Sequence, residues 1–140
     1  MLDMPAGDQP YASGEFAFLN GGSECAALIM QKDWSATPLG PIEAWPSCLR
    51  CAVSLLLRSQ VPIVMLWGDV GVMLYNDAYS GFAGGRHPEL LGSNVGEGWG
   101  EVADFNDNVM KVGLAGKTLH YRDQELTLHR HSRPEQVWMD

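Results

Sequence analysis

The stretch from Val61 to Pro88, VPIVMLWGDVGVMLYNDAYSGFAGGRHP, constrains the fold of this chain more than any other part of it. An apolar run from Pro62 to Trp67 meets a turn at Gly68-Asp69, and a second apolar run from Val70 to Tyr75 stops at Asn76-Asp77. Two short apolar segments around a glycine-containing turn predict a β-hairpin. Asn76-Asp77 then offers side-chain acceptors to free backbone N–H groups, and Tyr79 and Phe82 stand three apart on one helical face. The stretch reads as a hairpin feeding directly into a short helix.

A chain of 140 residues is one domain's worth and buries roughly two-thirds of its unfolded surface. With 46% hydrophobic and 19% charged residues, it has a globular rather than a disordered composition. The net charge of −8 supplies no basic footprint for phosphates or an anionic bilayer, so neither nucleic acid nor a membrane surface is expected as a partner. No run of about 18 apolar residues occurs, and Met1-Leu2-Asp3-Met4-Pro5 lacks the basic start and apolar core of an export signal. A cytoplasmic domain is expected. Three cysteines, Cys25, Cys48 and Cys51, are an odd number for a secreted disulfide framework and are read as reduced thiols.

Residues 1–17, with Pro5, Gly7, Pro10 and Gly14, are expected to form a flexible leader. Ser23 to Lys32 has a capping-type start and places Cys25, Leu28 and Ile29 on one helical face. Pro38, Gly40 and Pro41 break that helix, with Trp34 and Trp45 as anchors flanking the connector. Pro46 suits a first helical turn, and Ser47 to Ser59 carries Leu49, Ala52, Val53, Leu56 and Leu57 at helical spacing. This apolar face covers the sheet in a monomer or pairs with its twin in a dimer, where Leu28, Ile29, Leu49, Val53 and Leu56 would form the interface. Beyond the hairpin, His87 to Gly92 reads as one helical turn and Gly96 to Gly100 as a glycine-spaced short piece. Glu101 to Ala115 reads as a longer helix stopped by Gly116. Thr118 to Arg130 and Gln136 to Met139 read as two strands around a turn at His131 to Glu135. Because the sequence stops at Asp140 in or just after a strand, at least one further strand is expected beyond it.

The order helix, helix, strand, strand, short helices, longer helix, strand, strand resembles a PAS domain preceded by N-terminal helices. Leu74-Tyr75-Asn76-Asp77-Ala78-Tyr79 resembles the PAS hairpin-to-helix signature, and His87-Pro88-Glu89-Leu90-Leu91-Gly92 the segment that follows it. Asp33 to Pro41, with Trp45-Pro46 and Leu49-Arg50, is similar to the leader found before such domains in bacterial sensor histidine kinases. The resemblance covers about residues 18 to 140 and implies an α+β PAS fold. The expected architecture is a five-stranded antiparallel sheet with helices on one face, of which this chain supplies four strands. The implied organisation is a leader over 1–17, an N-terminal helical extension over 18–60 and a PAS core over 61–140. The implied role is a homodimeric sensory module without catalytic activity of its own. It would regulate a histidine kinase domain in the same chain, and through it a response regulator. A pocket between sheet and helices would be lined by Met65, Trp67, Met73, Tyr75, Tyr79, Phe82, Trp99, Phe105 and Val109 and would take a planar or apolar small molecule. The alternative, that these side chains fill the core outright, stays open, as do a ligand-free dimerisation module and a sensor attached to a cyclic-dinucleotide signalling enzyme.

Other motifs carry less. Cys48-Leu49-Arg50-Cys51 has C-x-x-C spacing, but a zinc site needs two more ligands and His129 and His131 lie far along the chain, so core packing on a helix is the expectation. Gly116-Lys117-Thr118 lacks the glycine a phosphate loop needs, since position 111 is Lys111, and Gly96, Gly98 and Gly100 miss the dinucleotide spacing. The resemblance implies that haem would be held by a histidine on the long helix; that helix holds none, so haem is disfavoured, with His120, beyond the helix stop, as the one candidate left. Covalent flavin photochemistry of the LOV type is disfavoured because no cysteine follows Cys51. No carboxylate pair, Ser/His/Asp set or Cys/His set has a catalytic spacing. Asn76 and Asp77 are read as helix caps rather than ligand contacts.

Overall fold

Ser23 starts the first helix as its position predicts. In the computed structural model its hydroxyl accepts the Ala26 N–H at 3.0 Å, and α1 runs over Glu24–Gln31. The structure describes residues 14–19, 23–119, 121–122 and 124–139. After α1 come α2 (Ser47–Leu57), β1 (Val64–Trp67), β2 (Val72–Tyr75), α3 (Asp77–Ala83), α4 (Val95–Gly98), α5 (Ala103–Leu114), β3 (Gln124–His129) and β4 (Pro134–Met139). The chain is α+β, and short 3-10 turns join several of these elements. It divides into two units, residues 1–64 with 75–79 and residues 65–74 with 80–140. Most of the expected leader lies outside the described residues, and a 3-10 turn spans Gly14–Leu19.

In the first unit, α1 and α2 turn Cys25, Ile29, Leu49, Val53 and Leu56 inward, each at most 4% exposed. The connector between the helices is held by its two indoles. Trp34 and Trp45 meet edge to face with centroids 5.2 Å apart, and their N–H groups donate to the Ile29 carbonyl at 2.8 Å and the Gly40 carbonyl at 2.9 Å. A buried indole whose N–H keeps a partner adds apolar area without an unmet donor. Arg50, on the first turn of α2, donates to the carbonyls of Ile42, Glu43 and Trp45 and fixes the chain as it enters the helix. Two expectations are corrected here. Ile29, Leu49, Val53 and Leu56 belong to the chain's own core, so they offer no surface to a second copy, and Leu28 is half-buried. Cys48 and Cys51 are not core cysteines, because both face solvent on the opposite side of α2.

In the second unit, the hairpin turns through Gly68 to Gly71, with the Gly71 N–H donating to the Gly68 carbonyl at 3.1 Å. Gly71 has φ +68°, and a side chain there would stand 2.9 Å from Met110 Sδ and Val95 Cγ1, so this turn is where α5 comes closest. All four residues of β2 are buried, whereas those of β1 are half-buried. The difference follows from the edges. Beside β2 runs Gly92 to Val95: Met73 donates to the Ser93 carbonyl at 2.9 Å, Gly92 to the Met73 carbonyl at 2.8 Å, and Val95 to the Gly71 carbonyl at 2.9 Å.

The second hairpin pairs antiparallel from Gln124↔Met139 to His129↔Pro134. Leu126, Leu128 and Val137 turn to one face while Glu125, Thr127, Gln136 and Trp138 are exposed on the other. The expected single sheet of four strands is therefore two sheets of two, with no ladder joining them among the described residues. The β2 edge that could have received another strand is already occupied by Gly92 to Val95.

Three boundaries also move. The strand expected from Thr118 begins at Gln124, with Leu119 exposed before it. His87 to Gly92 is a run of hydrogen-bonded turns, Leu90 donating to Arg86 and Leu91 to Pro88, rather than a helix. The longer helix, expected over Glu101 to Ala115, runs from Ala103 to Leu114, with Gly116 just past its end. Lys117 donates to the Val112 carbonyl and Gly116, at φ +79°, to the Gly113 carbonyl, which satisfies two of the orphan carbonyls of the last turn.

Candidate functional site

In the first unit, the signature residues form a polar junction inside an apolar core. Tyr75 and Tyr79 pack with ring centroids 5.0 Å apart, and between them in sequence lies Asn76, only 1% exposed. Its Oδ1 accepts the Tyr79 N–H at 3.0 Å, the N-cap bond expected of it, and also the Ile63 N–H at 3.2 Å. Its Nδ2 donates to the carbonyls of Leu56 at 3.0 Å and Val61 at 2.8 Å. One amide therefore ties the last turn of α2, the approach to β1 and the start of α3. Such a network is stable only when its members are satisfied, because each unmet buried group costs free energy.

Asp77 caps a different helix from the one it begins. Its carboxylate accepts the Cys25 N–H at 2.8 Å and the Glu24 N–H at 3.2 Å, so the first turn of α1 is capped from 52 residues away. Burial, reinforced by hydrogen bonding to Asp77, pushes the Cys25 thiol far above its ordinary value and keeps it protonated.

In the second unit, Arg86 is the organising charge. Its guanidinium lies 4.8 Å from the Trp99 ring centroid, pairs with Glu101 at 3.0 Å, donates to the His129 carbonyl at 3.1 Å and bonds the Gly98 carbonyl. Glu101 in turn accepts the His129 N–H at 2.8 Å. Burial pushes the Glu101 carboxyl up, but this N–H and the Arg86 charge outweigh it and hold it below its ordinary range. A parallel set lies at the β3–β4 turn. Arg130 pairs with Glu135 at 2.8 Å, donates to the Phe82 carbonyl at 3.1 Å and covers the Phe82 ring. His131 meets Glu135 at 2.7 Å, and these two partners hold the Glu135 carboxyl below its ordinary range. A cleft of about 230 Å³ opens beside Arg86, lined by Glu89, Leu90, Ser93, Glu97 and Gly98.

The expected pocket residues divide by burial. Met73, Tyr75 and Trp99 are at most 3% exposed and Tyr79 is 8% exposed, whereas Met65, Trp67, Phe82, Phe105 and Val109 are half-buried. Within the second unit Phe82 stands edge to face with Trp99 at 6.4 Å, and Phe105 packs on Tyr121 at 5.1 Å. Met73 is drawn close to the cleft wall, 4.0 Å from the Ser93 hydroxyl. Comparison with protein-family models, curated proteins and solved structures returned no match. The cleft residues Arg86, Glu89, Ser93 and Glu97 were not legible as a set in the sequence. The one signal was Arg86, a lone cation between the Gly84-Gly85 pair and the His87-Pro88 step.

Chemically, the cleft offers two carboxylates, one hydroxyl and an arginine already committed to Glu101 and Gly98. Among the cleft residues no nucleophile is held by a base. Among the described residues no group of three or more metal-ligating side chains gathers, and no helix is long and apolar enough to cross a membrane. His120 lies outside the described residues.

Proposed function

We propose that this chain is a cytoplasmic sensory PAS module that regulates a histidine kinase of a bacterial two-component system. The observation that carries the reading is the Asn76 junction. The residue at the centre of the Leu-Tyr-Asn-Asp-Ala-Tyr signature bonds the end of α2, the entry to β1 and the start of α3. A change at the hairpin-to-helix step is thereby felt directly at the C-terminal end of the N-terminal helices, which is what a sensor must transmit. In this reading the module is not itself catalytic. Phosphotransfer would belong to a kinase domain in a longer chain and pass to a response regulator. A ligand would act by binding two arrangements of this junction with different affinity. Native mass spectrometry and an absorbance spectrum of the purified protein, with thermal melts against a small-molecule library, test this. A co-purified molecule or a ligand-induced rise in melting temperature that Asn76→Ala abolishes is expected. A bare protein that no compound stabilises would overturn the small-molecule form of the reading.

A second reading, a ligand-free dimerisation module, is favoured by the near-complete burial of Met73, Tyr75 and Trp99, which points to side chains that fill their own core. Its interface would have to use surfaces other than Ile29, Leu49, Val53 and Leu56. A homodimer that persists on dilution with no bound molecule would select it.

A further inference from the structure

We propose that Cys48 and Cys51 form a solvent-facing dithiol that closes to an intrahelical disulfide by exchange with low-molecular-weight disulfides. The inference is independent of the sensory reading. Both thiols are exposed, on the face of α2 opposite Leu49, Val53 and Leu56, while Cys25 is buried. Residues three apart in an α-helix have Cα atoms about 5 Å apart by its rise and radius, inside the span a disulfide bridges. Their Cβ atoms start roughly 5–6 Å apart and must approach to about 4 Å. The pair sits where such an approach meets least resistance. Cys48 is the second residue of the helix, in the turn whose N–H groups have no intrahelical acceptor, and Pro46 supplies no side-chain cap to hold them.

The exchange balances. One cysteine thiolate attacks a sulfur of the small disulfide, forming a mixed disulfide and expelling one small thiol. The second thiolate attacks the protein sulfur of that bond, closing the bridge and expelling the other. Two protein S–H bonds are lost, their protons end on the two small thiols, and the electron pair reduces the small disulfide.

The sequence supplies its own diagnostic, because Arg50 lies between the cysteines and Lys32 and Arg58 flank them. The full chain is incubated with oxidised glutathione, then denatured, alkylated without reduction and weighed intact. A trypsin digest is then read with and without reductant. The expected result is a monomer lighter by two hydrogens with one alkylatable thiol, and tryptic peptides 33–50 and 51–58 released as a reducible pair. Cys48→Ser and Cys51→Ser should each stop at a persistent glutathione adduct. Three results would overturn the proposal: stable adducts on both cysteines of the wild type, a disulfide-linked dimer as the main product, or a two-hydrogen loss that survives in Cys48→Ser and so involves Cys25. Retention of three alkylatable thiols would overturn it equally.

Discussion

Removing the Asn76 side chain, which is 1% exposed, takes the acceptor from the Ile63 and Tyr79 N–H groups and one donor from the Leu56 and Val61 carbonyls, which keep Ser59 as a second partner. Unmet buried groups cost roughly 1–3 kcal/mol each, less whatever water recovers, so Asn76→Ala should destabilise by about 3 kcal/mol. Urea unfolding measures it, and a loss below about 1 kcal/mol would mean that the junction is not the anchor described. Gly98 offers a tighter steric case, since a side chain there would stand 2.7 Å from Leu90 Cδ1 and Ser93 Oγ. Gly98→Ala should cost about 1–3 kcal/mol by overpacking the wall of the cleft, read from the same urea curves. The buried, protonated Cys25 should resist alkylation under native conditions, while Cys48 and Cys51 react. Peptide mapping after brief iodoacetamide treatment distinguishes the three. At this scale the sequence was partly legible. The capping chemistry of Ser23 and Asn76 is local and could be read, whereas the target of Asp77 is set by tertiary packing and could not.

Among the elements, α2 makes the sharpest prediction. Leu49 and Leu56 are 1% and 4% exposed, so replacing either with Glu buries an unpaired carboxylate and should unfold the chain rather than release a monomer. Circular dichroism together with gel filtration separates the outcomes, and a folded monomer from Leu49→Glu would contradict the packing. The β3–β4 hairpin predicts a pH dependence. Glu101 and Glu135 both have carboxyls held below their ordinary range. The sign is then fixed: their contribution is present above the usual glutamate value of about 4.3 and is lost as the pH falls through their lowered folded values. Urea midpoints compared near pH 6 and pH 3 should fall in the wild type and fall less in Glu101→Gln. Equal slopes would show that the Glu101 contacts with Arg86 and His129 contribute nothing. Periodicity and turn residues located α1, α2, α3, α5 and both hairpins, because these are local signals. They missed the strip from Gly92 to Val95 along β2, since that segment shows no alternation and pairs only because β2 offers it an open edge.

For the whole molecule, the α+β class and the order of elements were legible in the sequence, and the arrangement of strands was not. Which edges meet depends on long-range competition between segments, and here Gly92 to Val95 took the place beside β2. The division of the chain at residues 64, 75 and 79 was likewise invisible, because the signature helix α3 begins in one unit and ends in the other.

The carboxylate of Asp77 carries a consequence for the order in which the chain assembles. α1 has eight residues, too few to persist alone in water, and part of its N-terminal cap arrives only when a segment 52 residues downstream is in place. Closing so long a loop is entropically costly, so α1 should set late, after the hairpin and the start of α3 have formed. Asp77→Ala should therefore accelerate unfolding and leave the refolding rate nearly unchanged in stopped-flow chevrons, the signature of a contact made after the transition state. An equal slowing of refolding would instead place α1 in the nucleus.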